Sequence, residues 1–419
     1  MLYRLIKIMM RTALRLFYRQ VIGRNLSQIP ADGPALLVAN HPSSLMDAAL
    51  IGIMLRRPVH FFARGDLFAN RFVSRILNAL HMHPVHHHEA GRQTLGANDD
   101  AFEKASSLLA SGELVLFFPE GLSHTDYHLM AFRKGAFRIA LKTAEDHPGI
   151  QLPIVPIGIN YSHPTRLFSR AWLNAGPPIP TEQFLSLYRI NPAQAIRLLA
   201  NTAWLGVKAL VVESPKHYSA HLSMACEMIR SDYPWNQYVP EGIIDKEIEL
   251  GKNCAEWKPE LQSEINEYAG RLQHIGLRDE HVVAAQAGKL SGLPVILGFP
   301  AAFIGWVLNA LPLLLGKVIA DKKVSRTDFY SWVLVSVSAI LYIIWMIILF
   351  AMAVVFLPAW KTIAFIFITI ATGQYSWNYL AYFSQWQIQK QGLSIDTQTL
   401  SSLSDDRENI LREITISRS

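Results

Sequence analysis

Two uncharged runs near the C-terminus, residues 332–357 and 362–383, constrain this chain more than anything else in it. Each is long enough to cross a hydrocarbon core of about 30 Å at a helix rise of about 1.5 Å per residue. Only Pro358-Ala359-Trp360-Lys361 separates them, so they are predicted to form a tight helical hairpin. Tyr330, Trp332, Trp360, Tyr379 and Tyr382 stand near their ends, where amphipathic rings anchor at a membrane interface. A third uncharged run, 293–315, is interrupted by Pro294, Gly298, Pro300, Gly305 and Pro312. It can span or re-enter. Three straight spans would put the basic linker 317–328 opposite the N-terminal part of the chain, against the positive-inside tendency. Re-entry, with that part, the linker and the tail all cytoplasmic, is the expectation.

Ahead of residue 291 the chain is compatible with a water-facing domain. The 419 residues are 51% hydrophobic, but the excess lies toward the C-terminus. Two cysteines, Cys226 and Cys254, imply no disulfide framework and fit a reducing compartment. A net charge of +6 suits an anionic partner, and no nucleic-acid motif is present. Arg4, Lys7, Arg11, Arg15 and Arg19 recur every three or four residues beside Leu2, Leu5, Ile6 and Met9. On a helix this is a basic stripe against an apolar face, the pattern of a helix lying on a membrane surface, although an ordinary surface helix shares it.

Between about 30 and 180, short apolar runs alternate with helical patterns. Residues 36–39, 59–63, 114–118 and 154–159 read as strands, and 47–55, 68–80, 99–111 and 132–144 as helices. The alternation predicts an α/β layer with a largely buried sheet and functional residues on loops leaving the strands. The organisation expected is a surface helix over 1–25, an α/β domain over 26–180, a helical extension over 181–290, a membrane domain over 291–384 and a polar cytoplasmic tail over 385–419.

Two strand ends carry chemistry. After 36–39 come Asn40-His41-Pro42 and, with five residues between it and His41, Asp47. A neutral imidazole accepts a proton near neutral pH, and a carboxylate fixes its tautomer and supports the imidazolium. Ser44 three residues before Asp47 equally fits a helix capping box, which would leave Asp47 a structural role. After 114–118 come Pro119-Glu120-Gly121, a turn in its plainest reading. No serine or cysteine lies in a nucleophile motif, so no covalent intermediate is expected. His81, His83, His86, His87 and His88 form a cluster without the carboxylate or thiolate framework of a zinc site, and no metal is assigned to it.

Four ordered blocks resemble the glycerolphosphate and lysophosphatidate acyltransferases. They are Asn40-His41-Pro42 through Asp47, Phe61-Phe62-Ala63-Arg64-Gly65, Phe117-Phe118-Pro119-Glu120-Gly121 and Leu152-Pro153-Ile154-Val155-Pro156-Ile157. The resemblance implies an acyltransferase-type mixed sheet flanked by helices and a His41–Asp47 catalytic dyad. It further implies acyl transfer from acyl-CoA or acyl-carrier protein to a phosphorylated glycerol acceptor, with no metal or redox cofactor. The usual dyad has four intervening residues instead of five, and Leu122-Ser123-His124 stands where Thr-Arg commonly follows Gly121. Both departures resemble the fungal-type glycerol-3-phosphate and dihydroxyacetone-phosphate acyltransferases and their bacterial relatives. Acceptor contacts are expected from Arg64, Glu120, Gly121, Ser123, His124 and Lys134, with Arg92 and Arg133 as further cations and Arg64 favoured for the phosphate. An enzyme of this kind would sit in a bacterial inner membrane with its catalytic domain on the cytoplasmic face. The alternatives are acylation of the second position of a lysophospholipid, or a non-catalytic protein binding anionic lipid.

Overall fold

The computed structural model describes residues 2–85, 95–233 and 238–416. The chain packs into two compact units, one of residues up to 14, 21–161 and 171–213, the other of 15–20, 162–170 and 214–419.

Among the described residues an eight-stranded mixed sheet organises the α/β part of the chain. Its strands are β1 (Tyr18–Arg24), β2 (Ala35–Ala39), β3 (Val59–Arg64), β4 (Met82–Val85), β5 (Leu114–Phe117), β6 (Pro153–Tyr161), β7 (Ser169–Ala175) and β8 (Ile179–Pro180). They are ordered β1-β7-β6-β2-β5-β3-β4, with β8 paired to β6. β2 lies between β5 and β6, parallel to both, and β3 is parallel to β5 and β4. A strand covered on both faces reads as a continuous apolar run, and every residue of β2 is buried. The helices are α1 (Leu2–Phe17), α2 (Leu45–Met54), α3 (Arg71–Ala79), α4 (Leu95–Ala110), α5 (Gly135–Asp146), α6 (Glu182–Ile190) and α7 (Pro192–Lys208).

The expected domain limits shift in two places. The N-terminal helix ends at Phe17 and β1 follows directly, so 1–25 is not one surface element. Two of its cations also face inward, with Lys7 Nζ donating to the Leu55 carbonyl at 2.6 Å and Arg11 Nη2 to that of Ile53 at 2.6 Å. These are the free carbonyls at the end of α2, where a cation is favoured. Leu2, Leu5 and Ile8 stay exposed. The α/β unit runs to Glu213 instead of 180, because α7 buries Ala195, Leu199, Ala203 and Val207 in the sheet's core.

The second unit holds α8 (Ser219–Ser231), α9 (Ile243–Asn253), α10 (Pro259–His274), α11 (Asp279–Gln286), α12 (Leu293–Lys323), α13 (Thr327–Phe356), α14 (Ala359–Gly392) and α15 (Thr397–Ile416). By length and composition α12 and α13 are membrane-span candidates. The tight helical hairpin is present, with only Leu357 and Pro358 between α13 and α14, although α14 is not among the span candidates. α12 continues through Pro300 and Pro312, residues that each remove a ladder donor and commonly bend a helix. Its N-terminal half runs antiparallel to α14 and its C-terminal half antiparallel to α13. Trp345 donates to the Leu308 carbonyl and Tyr342 to Asn309, while Tyr379 donates to the Val295 carbonyl and Tyr382 to that of Ser291. A Cβ on Gly305 would come within 2.1 Å of the Thr372 carbonyl, so only glycine lets α12 and α14 approach this closely. The C-terminal segment is no loose tail. Leu403, Ile410 and Ile414 are buried, and Arg407 pairs with Asp279 at 2.9 Å and Asp232 at 2.7 Å.

Candidate active site

Parallel register brings the two strand-end motifs together. Val38 pairs with Phe117, and three residues further along each strand stand His41 and Glu120. The His41 amide donates to Glu120 Oε1 at 2.9 Å. On the other side of β2, Asn40 bridges to β6 in both directions, accepting from the Ile159 amide at 2.7 Å and donating to its carbonyl at 2.9 Å. The loop carrying His41 is therefore clamped to both neighbouring strands.

His41 Nδ1 lies 2.9 Å from Asp47 Oδ2. Asp47 is in the first turn of α2 and wholly buried, and it accepts two further hydrogen bonds, from the Ser43 amide at 2.8 Å and the Tyr161 hydroxyl at 2.7 Å. Ser44, the N-cap, makes no side-chain cap bond. The capping-box alternative is thus not realised: the carboxylate turns to the imidazole. Burial pushes the Asp47 carboxyl above its usual range, against the pull of His41, Ser43 and Tyr161. A carboxylate at Nδ1 favours the tautomer with the proton there, leaving Nε2 as the acceptor nitrogen. Phe118 stacks on the His41 ring at 3.9 Å between centroids, which fixes the plane of the imidazole.

Glu120 is 4% exposed. Its Oε2 accepts from the Met130 amide at 3.0 Å and lies 3.0 Å from His124 Nε2. Both oxygens are engaged within the protein, which ties Glu120 to the His41 loop. Gly121 has φ +76°, and a Cβ there would stand 2.6 Å from Arg133 Nε. Glycine is needed both for the turn and for the guanidinium lying against it. His41, Glu120, His124, Asp126 and His128 line one small cavity.

The remaining predicted residues are placed unevenly. Arg64, at the end of β3, is level with Pro119 but two strands from β2, about 10 Å away at a strand spacing of about 4.8 Å, and it pairs with Asp66 at 2.8 Å. Ser123 is half-buried on the loop between Gly121 and His124, and Lys134 is exposed at the start of α5. Sequence reasoning missed Tyr161, whose signal was a hydroxyl ending an apolar strand, and it ranked Arg133 below Arg64. His60 Nδ1 and His83 Nε2 are 3.0 Å apart, each pushed down to about 4, first by burial. Among the described residues no group of three His, Cys, Asp or Glu is arranged to hold a metal. His86, His87, His88 and Arg92 lie outside the described residues.

Residues 20–160 of the chain match the family model described as Acyltransferase. Among its relatives, an uncharacterized acyltransferase of Schizosaccharomyces pombe is 29% identical over 49% of this chain and 31% of its own length. Glycerol-3-phosphate O-acyltransferase 1 of Saccharomyces cerevisiae is 25% identical over 51% of this chain and 30% of its own. A chloroplastic 1-acyl-sn-glycerol-3-phosphate acyltransferase of Brassica napus is 30% identical over 34% and 37%. The chain thus spans about a third of the length of the curated relatives it matches. The crystal structure of the 1-acyl-sn-glycerophosphate acyltransferase PlsC of Thermotoga maritima is 24% identical, covers 50% of this chain and 79% of that one, and has a TM-score of 0.37.

Proposed function

We propose that this protein moves a fatty acyl chain from a thioester to a hydroxyl of glycerol 3-phosphate or a related glycerolipid phosphate. The His41–Asp47 couple carries the reading. Nε2 of His41 takes the hydroxyl proton while Asp47 supports the imidazolium across Nδ1. The alkoxide attacks the thioester carbonyl directly, and the leaving thiolate recovers the proton. Long-chain acyl-CoA or acyl-carrier protein is the donor, and the chemistry calls for neither metal nor redox cofactor. Arg133, lying against Gly121 beside Glu120, is assigned to the acceptor phosphate in place of Arg64, which is engaged with Asp66. A planar guanidinium suits that phosphate.

The protein is proposed to be integral to a bacterial inner membrane, with the α/β domain cytoplasmic. In an up-down-up bundle the first and third helices run parallel, but α12 is antiparallel to α14 as well as to α13. Its two ends therefore accompany the outer ends of the hairpin, and the Pro358 turn is remote from both. This supports the path in which residues 293–315 enter and leave one face.

Membranes containing the protein, given labelled acyl donor and either glycerol 3-phosphate or lysophosphatidate, test the reading. Acylated glycerol 3-phosphate is expected, and it should disappear in His41→Ala while the chain stays in the membrane. Acylation of lysophosphatidate alone would move the activity to the second position. Lipid binding without thioester consumption would refute catalysis.

A further inference from the structure

The second unit contains a cavity of about 580 Å³, within the usual size of small-molecule sites, that the transfer chemistry does not use. All its walls belong to that unit: the segments 162–170, 227–233 and 280–290 and the C-terminal part of α14. Its lining is of two kinds. Arg166, Arg170 and Arg230 meet around His163. Val283, Leu290, Leu380 and Ile388 add apolar surface.

The arginines of the lining stand among carboxylates. Arg230 is matched by Glu247, with Nε donating to Oε1 at 2.7 Å, and Arg166 by Glu280 at 2.7 Å. Arg170 is 5% exposed and donates to the Tyr233 carbonyl at 3.0 Å. Arg278 stands close by and shares Glu280. Four arginines thus face Glu227, Glu247 and Glu280, with Asp279 close behind, and burial, then Asp279 and Glu280, raise the Glu227 carboxyl toward its neutral form. The field acts on its neighbours: burial, and then Arg230, Arg166, Arg278 and Arg170, hold His163 down to about 3, while burial and Arg230 pull Arg170 down to about 10. An anion placed there would meet charge that is already desolvated, where attraction is strongest.

If α14 is read as a membrane helix, the apolar lining meets its aromatic end. Leu380 lies between Tyr379 and Tyr382, in the aromatic band that closes the apolar part of α14. Phe168, at the cavity wall, packs on Trp377 at 5.1 Å and holds φ +61°, an uncommon conformation for a bulky side chain. A ligand with an anionic head and an apolar body matches both kinds of lining.

We propose that this cavity binds one anionic phospholipid, its phosphate against Arg166 and Arg170 and its glycerol and upper acyl chain along Leu380, Ile388 and Leu290. The site is separate from the lipid substrate's. It rests on reading α12 to α14 as membrane helices, and failure of that reading would show independently as release of the chain by alkaline washing of membranes.

The test uses the full chain carrying His41→Ala, so that turnover does not consume lipid. Purified in detergent, it is incubated with dioleoylphosphatidylglycerol, dioleoylphosphatidylcholine or inorganic phosphate, and bound ligand is counted by native mass spectrometry. One phosphatidylglycerol should be retained where phosphatidylcholine and phosphate alone are not. Ala287→Trp, at an exposed position in the cavity wall, should weaken retention at least about tenfold, as should Arg170→Gln. If Arg170→Gln does not fold, Ala287→Trp decides. Unchanged retention in Ala287→Trp, equal retention of phosphatidylcholine, or binding of free phosphate as tight as that of lipid would overturn the proposal.

Discussion

Asp47→Asn separates a catalytic role for Asp47 from a structural one. The Ser43 amide and His41 Nδ1 both address Oδ2, and the Tyr161 hydroxyl addresses Oδ1. An asparagine can set its oxygen in the Oδ2 place and its amide nitrogen toward Tyr161, whose oxygen can accept. The tautomer and pose of His41 then survive, and only the negative charge is lost. The bonded atoms are 2.9 Å apart, which puts the charge centres about 4 Å apart. At an effective dielectric of about 20 that is worth about 4 kcal/mol to the imidazolium formed as the hydroxyl is deprotonated. At about 1.4 kcal/mol per decade, kcat should fall by about 10³, with little change in KM. Stability should move the other way. Because burial raises the folded-state pKa of Asp47, the carboxylate form costs stability as pH rises through the interval between the ordinary and raised values. Asparagine carries no such charge, so at neutral pH its thermal midpoint should equal or exceed that of the parent. Steady-state acyl transfer and thermal unfolding in detergent measure the two effects. A loss under about tenfold, or a lowered midpoint with turnover intact, would make Asp47 a structural residue and break the argument.

Other perturbations follow from the same contacts. In the parent, kcat/KM should decline as pH falls through the raised Asp47 pKa, above the ordinary carboxylate value of about 4; a pH profile flat to that value would contradict the assignment. Tyr161→Phe removes a donor from the buried carboxylate, so it should shift that acid limb to higher pH and cost about tenfold in kcat. Glu120→Gln sets an amide against either the His41 or the Met130 N–H, and chemical denaturation should show a loss of about 1–3 kcal/mol. Gly121→Ala strains a φ of +76° and displaces Arg133, so the KM for glycerol 3-phosphate should rise more than kcat falls.

The centre of the sheet was legible because β2, β5 and β6 are buried on both faces and read as continuous apolar runs. Their loops then held the His41, Asp47 and Glu120 positions without further information. β7 was not legible. It is buried along its length, yet it carries Arg170 and Asn174, so neither an apolar run nor alternation marks it. α15 left a readable trace in Leu403, Ile410 and Ile414 at helical spacing, which the polar composition of the segment obscured. Arg133 was underweighted because its place depends on a turn. Its amide donates to the Pro119 carbonyl at 2.8 Å, folding the chain back on Gly121 over a distance no local pattern records. The lipid cavity draws on four segments far apart in the chain, and sequence offers no means of assembling them.

The five-residue spacing between His41 and Asp47 has a local explanation. Ser44 has φ +49° and ψ −131°, and the Met46 amide donates to the Ser43 carbonyl at 3.0 Å. These values describe a tight turn whose first central residue favours glycine. The extra residue is absorbed in that corner, so Asp47 still enters the first turn of α2 facing His41. A serine there costs roughly 1–3 kcal/mol of backbone strain, whereas glycine costs about 0.5–1 kcal/mol in unfolded-state entropy. Ser44→Gly should therefore stabilise the protein by roughly 0.5–2 kcal/mol in chemical denaturation and leave kcat unchanged. Destabilisation by glycine would mean that the corner is not strained. The spacing would then be met by a different path between β2 and α2, one that need not deliver Asp47 to the imidazole.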